Sequence, residues 1–194
     1  MRTFRNRAGR RTRTERKKAN AIKEKVEEIN RTRVVYVRED DVKTPEGTER
    51  IVGMPVGVKD ALAEICTFNG EDTINSDWLS RATRAAALVL FFGNKHQVDA
   101  LRAKHPHGNL PIEKAKGFAT INFHYGDELN LDAICAHEST RGKGVGKDML
   151  LFVETMARMN GKRQVTLDAL PPAIPFYIKQ GYVGNEDDHF VKEL

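Results

Sequence analysis

The stretch from Leu129 to Ala157 constrains the fold more than any other part of the chain. Leu129, Leu131, Ala133 and Cys135 alternate with Asn130, Asp132, Ile134 and Ala136, the period-two pattern of a strand. A glycine-rich turn follows, Arg141-Gly142-Lys143-Gly144-Val145-Gly146. Beyond it Val145, Met149, Leu150, Val153, Met156 and Ala157 recur at helical spacing. A strand that feeds a helix through such a turn leaves unpaired backbone N–H groups at the helix start, where the helix also carries about half a positive charge. This predicts a phosphate or diphosphate site, with Arg141, Lys143 and Lys147 adding formal charge. The spacing is not that of a P-loop, because no Gly-Lys-Ser/Thr follows at the required distance. It is not the dinucleotide fingerprint either, since the glycines fall as GxGxG.

The C-terminal continuation narrows the ligand. Val165, Leu167 and Ala169 alternate as another strand, and Pro171-Pro172-Ala173-Ile174-Pro175-Phe176-Tyr177-Ile178-Lys179-Gln180-Gly181-Tyr182 comes next. Arg141-x-x-Gly144-x-Gly146 resembles the acyl-CoA pyrophosphate loop of the GNAT superfamily of N-acetyltransferases. Leu167-x-Ala169 with Ala173-x-x-Phe176-Tyr177-x-Lys179-x-Gly181-Tyr182 is similar to that family's later signature. The two motifs stand in the family's order and cover roughly residues 117–194; the first half of the chain carries neither.

The resemblance implies an α/β (α+β) domain, a mixed, mostly antiparallel sheet flanked by helices, with acetyl-CoA as cosubstrate. It implies that Arg141, Gly142, Lys143, Gly144, Val145, Gly146 and Lys147 hold the diphosphate. The strand backbone at Ile134 and Ala136 would pair with the pantetheine arm and polarise the acetyl carbonyl. Tyr177 matches the position whose phenol protonates the departing CoA thiolate. An ordinary pKa near 10 keeps a tyrosine protonated at neutral pH, which suits a general acid. The general base stays open among Asp132, His137, Glu138 and Asp168. Departures are Ala136 and Glu138 where the family usually has Val and Pro, Leu170 where Gln is common, and Tyr182 where Phe is commoner. These positions pack or line the substrate side, so they leave the acceptor unassigned.

Charge is unevenly spread. Residues 1–33 hold 13 Lys/Arg against 4 Glu, while the other 161 hold 19 Lys/Arg against 23 Asp/Glu. Residues 1–33 therefore read as a basic arm, with residues 34–194 as the acyl-CoA-binding domain. The arm is the one segment suited to a polyanion, so nucleic acid is an expected partner there. A second reading follows: a GNAT-fold structural component of a nucleoprotein assembly, a virion or ribosome-like particle, its tail on nucleic acid. The first reading takes an amine-bearing small molecule or protein as acceptor.

Other constellations are bland. No apolar run is long enough to span a membrane, and no apolar signal core opens the chain. Cys66 and Cys135 lie far apart, and Cys135 reads as a core strand residue, so a reducing, cytoplasmic setting is expected. His105 and His107 lack partners at zinc spacing, so no metal site is expected. Ser139 lacks a nucleophile-elbow context, and Trp78 reads as a core or interface anchor. Pattern predicts helices at Thr14–Asn30, Lys59–Cys66 and Asp77–Ala87, with a short one near Val98–Lys104. It predicts strands at Val34–Arg38, Ile51–Val58, Ala87–Phe92 and Phe118–Tyr125.

Overall fold

A computed structural model describes residues 13–55, 57–68, 71–72, 80–81, 84–105, 110–123, 126–184 and 188–194. The arginines from Arg2 to Arg11, Trp78, His107 and Tyr125 lie outside the described residues. The chain opens with helix α1 (Arg13–Asn30), then strands β1 (Arg33–Val37) and β2 (Glu49–Val52) and helix α2 (Val58–Ile65). A two-residue pair, β3 (Thr67–Phe68) and β4 (Glu71–Asp72), precedes β5 (Ala87–Phe91) and helix α3 (Lys95–Lys104). The second half runs β6 (Gly117–Asn122), β7 (Glu128–Ala136), α4 (Val145–Met159), β8 (Gln164–Asp168), α5 (Ile174–Lys179), β9 (Val183–Gly184) and β10 (His189–Glu193).

Eight strands make one sheet in the order β2-β1-β5-β6-β7-β8-β10-β9. Among the described residues only β1–β2 and β7–β8 pair in parallel, and the other ladders of this sheet are antiparallel. Val34–Val37 and Ala87–Leu90 are continuous apolar runs because helices cover both faces of the sheet there. On one face Met149, Phe152, Val153 and Met156 of α4 pack on Val35, Val89, Ala119 and Leu129. On the other, Leu62 and Ile65 of α2 pack with Val98 of α3 on Tyr36, Leu88, Leu90 and Phe118. The expected mixed, mostly antiparallel sheet between helices is the observed one.

Local differences have local causes. The second strand ends at Val52 rather than Val58, because Gly53 takes φ 102° and Val58 already begins α2 behind Gly57. Strand β10 had no alternation long enough to mark it in the sequence; its pairing with β8 fixes it. Arg33, counted with the basic arm, instead opens β1 and is 1% exposed. Its guanidinium lies 3.9 Å from the centre of the Phe91 ring, and Nη1 donates to Thr32 Oγ1 at 2.7 Å. No helix among the described residues is long and apolar enough to cross a membrane.

The expectation that Cys66 and Cys135 stand apart as thiols is corrected. Helix α2 packs across β6 and β7, so its C-cap Cys66 lands beside Cys135 of β7, with Cα atoms 5.7 Å apart and the sulfurs bonded. Cysteine usage therefore gives no argument for a reducing compartment. The bond closes a sequence separation of 69 residues, and a link of that span stabilises a domain by about 4 kcal/mol. Melting under a phosphine reductant is expected to drop by roughly 8–16 °C for a domain of this size. An unchanged melting temperature, with both thiols titrating freely, would show that the link contributes nothing.

Candidate active site

The site begins where two strands part. β7 and β8 pair only at Glu128–Gln164, Leu129–Val165 and Asn130–Thr166. Beyond Asn130 the strands diverge, so the edge of Leu131–Ala136 that faces β8 has no strand partner. Such an edge offers backbone N–H and C=O groups to an extended ligand.

At the far end of that edge the chain makes the glycine-rich turn. Gly142 takes φ 72° and Gly144, the N-cap of α4, φ 83°; the left-handed backbone at both suits glycine. The turn is tied down by its own bonds. Arg141 Nε donates to Ala136 O at 3.2 Å, Lys143 Nζ to Ser139 O at 2.9 Å, and Thr140 Oγ1 to His137 O at 2.8 Å. His137 Nδ1 accepts from Ser139 N, so this histidine caps the turn.

A cavity of about 770 Å³ runs from the turn along β7. It brings together Ile134, Ala136, Arg141, Gly142, Gly144, Val145, Gly146, Lys147 and Tyr177, nine of the ten site residues expected from sequence. Lys143 does not line it, because its ammonium is turned back onto Ser139 O. Cys135, Thr140, Ala173, Phe176, Lys179 and Gln180 complete the lining. The residues fit an acyl-CoA in three ways. The helix start is open, Arg141 and Lys147 carry charge there, and a strand edge leads inward from it. The first turn of α4 lies under the Phe176 ring, so tightly that a Cβ on Gly146 would come within 3.2 Å of Phe176 Cζ.

That packing sets an expected result. In Gly146→Asp the ring must yield by a few tenths of an ångström, while an acid in the first helical turn favours the helix dipole. The fold should survive, but the new carboxylate repels a bound diphosphate, so acetyl-CoA affinity should fall at least about tenfold. Titration calorimetry giving equal affinities would remove the turn from the binding site.

Tyr177 is 7% exposed, its ring edge-on to Phe176 and Tyr182 with centroids 5.2 and 5.8 Å away. Burial pushes its phenol well above the ordinary tyrosine value, so it stays protonated across the physiological range. Phe176 and Tyr177 thus anchor α5 on the core and also line the cavity.

A second cavity, of about 520 Å³, is polar and lies around the apex of the split. It holds Asp132 and Asp168, two of the four base candidates, while His137 and Glu138 belong to the turn before α4. Asp132 is the extra residue of a β-bulge: Thr120 faces Ala133 and Ile121 faces Leu131, leaving Asp132 without a cross-strand partner in β6. Its two carboxylate oxygens accept from Asn122 Nδ2 and Asn130 Nδ2, both at 2.5 Å. Burial nevertheless pushes the carboxyl up to about 6, against the opposing pull of these amides and of Arg81. His189 Nδ1 stands 2.9 Å from Asp168 Oδ1.

Sequence reading missed Asn122, Asn130, Arg81, Arg84 and His189 here. A signal existed in the polar residues Glu128, Asn130 and Asp132 beside Thr166 and Asp168 on neighbouring strands. Arg81, Arg84 and His189 come from segments without a motif.

Residues 107–184 match the acetyltransferase (GNAT) domain family. Those residues carry a GNAT domain. No curated protein sequence matches it. Among solved structures, an acetyltransferase from Bacillus cereus is 32% identical over 42% of this chain and 66% of its own, with a TM-score of 0.39. A GNAT-family acetyltransferase from Staphylococcus aureus is 15% identical over 73% of this chain and 96% of its own, TM-score 0.52. An IAA acetyltransferase from Bacillus cereus is 11% identical over 73% and 96%, TM-score 0.51. The latter two share the fold.

Proposed function

We propose that the protein is an acetyl-CoA-dependent N-acetyltransferase acting on an amine. The observation that carries this reading is the parting of β7 and β8 with a cavity at either end of the exposed edge. One cavity has an anion-binding helix start and an apolar wall; the other has carboxylates and amides. A single strand lines both, with Asp132 in the polar cavity and Ile134 to Ala136 in the other.

In this reading the turn at 141–147 holds the diphosphate, and the free edge of Leu131–Ala136 holds the pantetheine arm. Backbone N–H groups of that edge stabilise the oxyanion that develops on the acetyl carbonyl. Asp132 takes the proton of the attacking amine, directly or through one water, and Tyr177 delivers one to the CoA thiolate as the C–S bond breaks. The amine gains the acetyl group, and CoA leaves as the thiol.

The reading is tested by following free thiol from acetyl-CoA across a panel of primary amines. Thiol release that depends on an amine, with the acetylated amine found by mass spectrometry, supports it. Binding of acetyl-CoA without transfer to any amine would overturn it.

A further inference from the structure

The polar cavity has a charge pattern that discriminates between amines. Its carboxylates, Glu128, Asp132 and Asp168, would draw in any cation. Arg81 and Arg84 line the same space, and neither makes an ion pair among the described residues. Arg84 uses Nε on Ser80 O at 3.2 Å, which leaves the outer edge of its guanidinium available. Arg81 is close enough to Asp132 to act on its charge, and the two share a recess with Asn130 and Asp168.

Two arginines in an amine site add positive charge that a polyamine or an extended cation would leave unmatched. They match an acceptor that brings its own negative charge, and guanidinium groups are suited to carboxylates in particular. Because Arg81 and Asp132 share one recess, the amine and the anion of the acceptor must lie within a few bonds of each other. A cavity of about 520 Å³ is sized for a small molecule.

We propose that the acceptor is a small zwitterion of the α-amino-acid class, its carboxylate on Arg81 and Arg84 and its amine between Asp132 and Asp168. The catalytic role of this site rests on the acetyltransferase reading; the binding preference stands without it.

The test separates the two. Binding of free amino acids to the full chain is measured by ligand-observed NMR, with no acetyl-CoA present. Each is compared with its decarboxylated counterpart, for example arginine with agmatine, histidine with histamine and phenylalanine with phenethylamine. At least one amino acid should bind roughly tenfold more tightly than its amine, as expected for one charge-assisted contact. In the double variant Arg81→Ala/Arg84→Ala that preference should fall below about twofold, with acetyl-CoA affinity unchanged. Both arginines are exposed, so the fold should tolerate the change.

The proposal is overturned if no amino acid binds, if the amines bind as well, or if the preference survives in the double variant. Thiol release is then measured with the same compounds. Transfer to amines that lack a carboxylate would overturn the zwitterion class and leave the acetyltransferase intact. Selective binding of amino acids without transfer would uphold the zwitterion site and overturn the acetyltransferase.

Discussion

Replacing Tyr177 by Phe is expected to lower kcat by about 10²–10⁴-fold, the usual worth of a general acid. In the proposed mechanism the phenol acts only as the thiolate departs, so acetyl-CoA affinity should stay within about twofold. The structure makes the substitution clean. The ring packs against Phe176, Tyr182 and Phe190, and a phenylalanine keeps all three contacts. Burial raises the phenol's pKa, so wild-type activity should show no alkaline loss from this group up to about pH 9. Stopped-flow measurement of the first turnover separates the chemical step from product release. Full first-turnover rate in the variant would reduce Tyr177 to a packing residue.

Asp132→Asn is expected to cost a similar factor and to change the shape of the pH profile. A base works only when ionised, and burial holds this carboxyl at about 6. Wild-type kcat/KM should therefore rise with pH through about 6 and then level, and the variant should lack that limb. The groups facing Asp132 are Arg81, Asp168 and the amides of Asn122 and Asn130, and none of the amides titrates.

A stability readout checks the raised pKa independently of activity. The folded pKa is raised from 3.8 to about 6, so the folded state binds the proton more tightly than the unfolded chain. The stabilisation linked to that proton is complete below about pH 4 and is lost as pH rises through about 6. The variant has no such proton. Its melting temperature relative to wild type should climb between pH 4 and 6 and stay level above. A difference independent of pH would mean that the carboxyl titrates alike in both states.

How much of this was legible depended on whether a function needs side chains in sequence order. The turn from Arg141 to Lys147 and the segment around Tyr177 are local: their spacing is their geometry, and eight of the nine turn and strand residues named from sequence reach one cavity with Tyr177. Lys143 went astray because its charge was visible in the sequence and its direction was not. The polar cavity was opaque for the opposite reason. Asn122, Asp132, Asp168, His189 and Arg81 come from five separate segments, and only the sheet order brings them together. The disulfide was hidden likewise, since nothing in either cysteine's neighbourhood says that α2 crosses β7.

The bulge at Asp132 also reverses the phase of the strand. Before it, Leu129 and Leu131 point into the core beneath α4; after it, Ile134 and Ala136 do, while Ala133 and Cys135 turn to the layer of α2. One unbroken alternation, as the sequence suggests, would have sent Ala133 and Cys135 toward the side of α4 and α5 and carried Ile134 and Ala136 away from it. A single supernumerary residue therefore places Ile134 and Ala136, which line the cavity of the glycine-rich turn, on the side of α4. Deleting it would restore an unbroken ladder and leave Ile134 and Ala136 on the side of α4, so the loss would fall on the polar cavity alone, which would forfeit the carboxylate of Asp132.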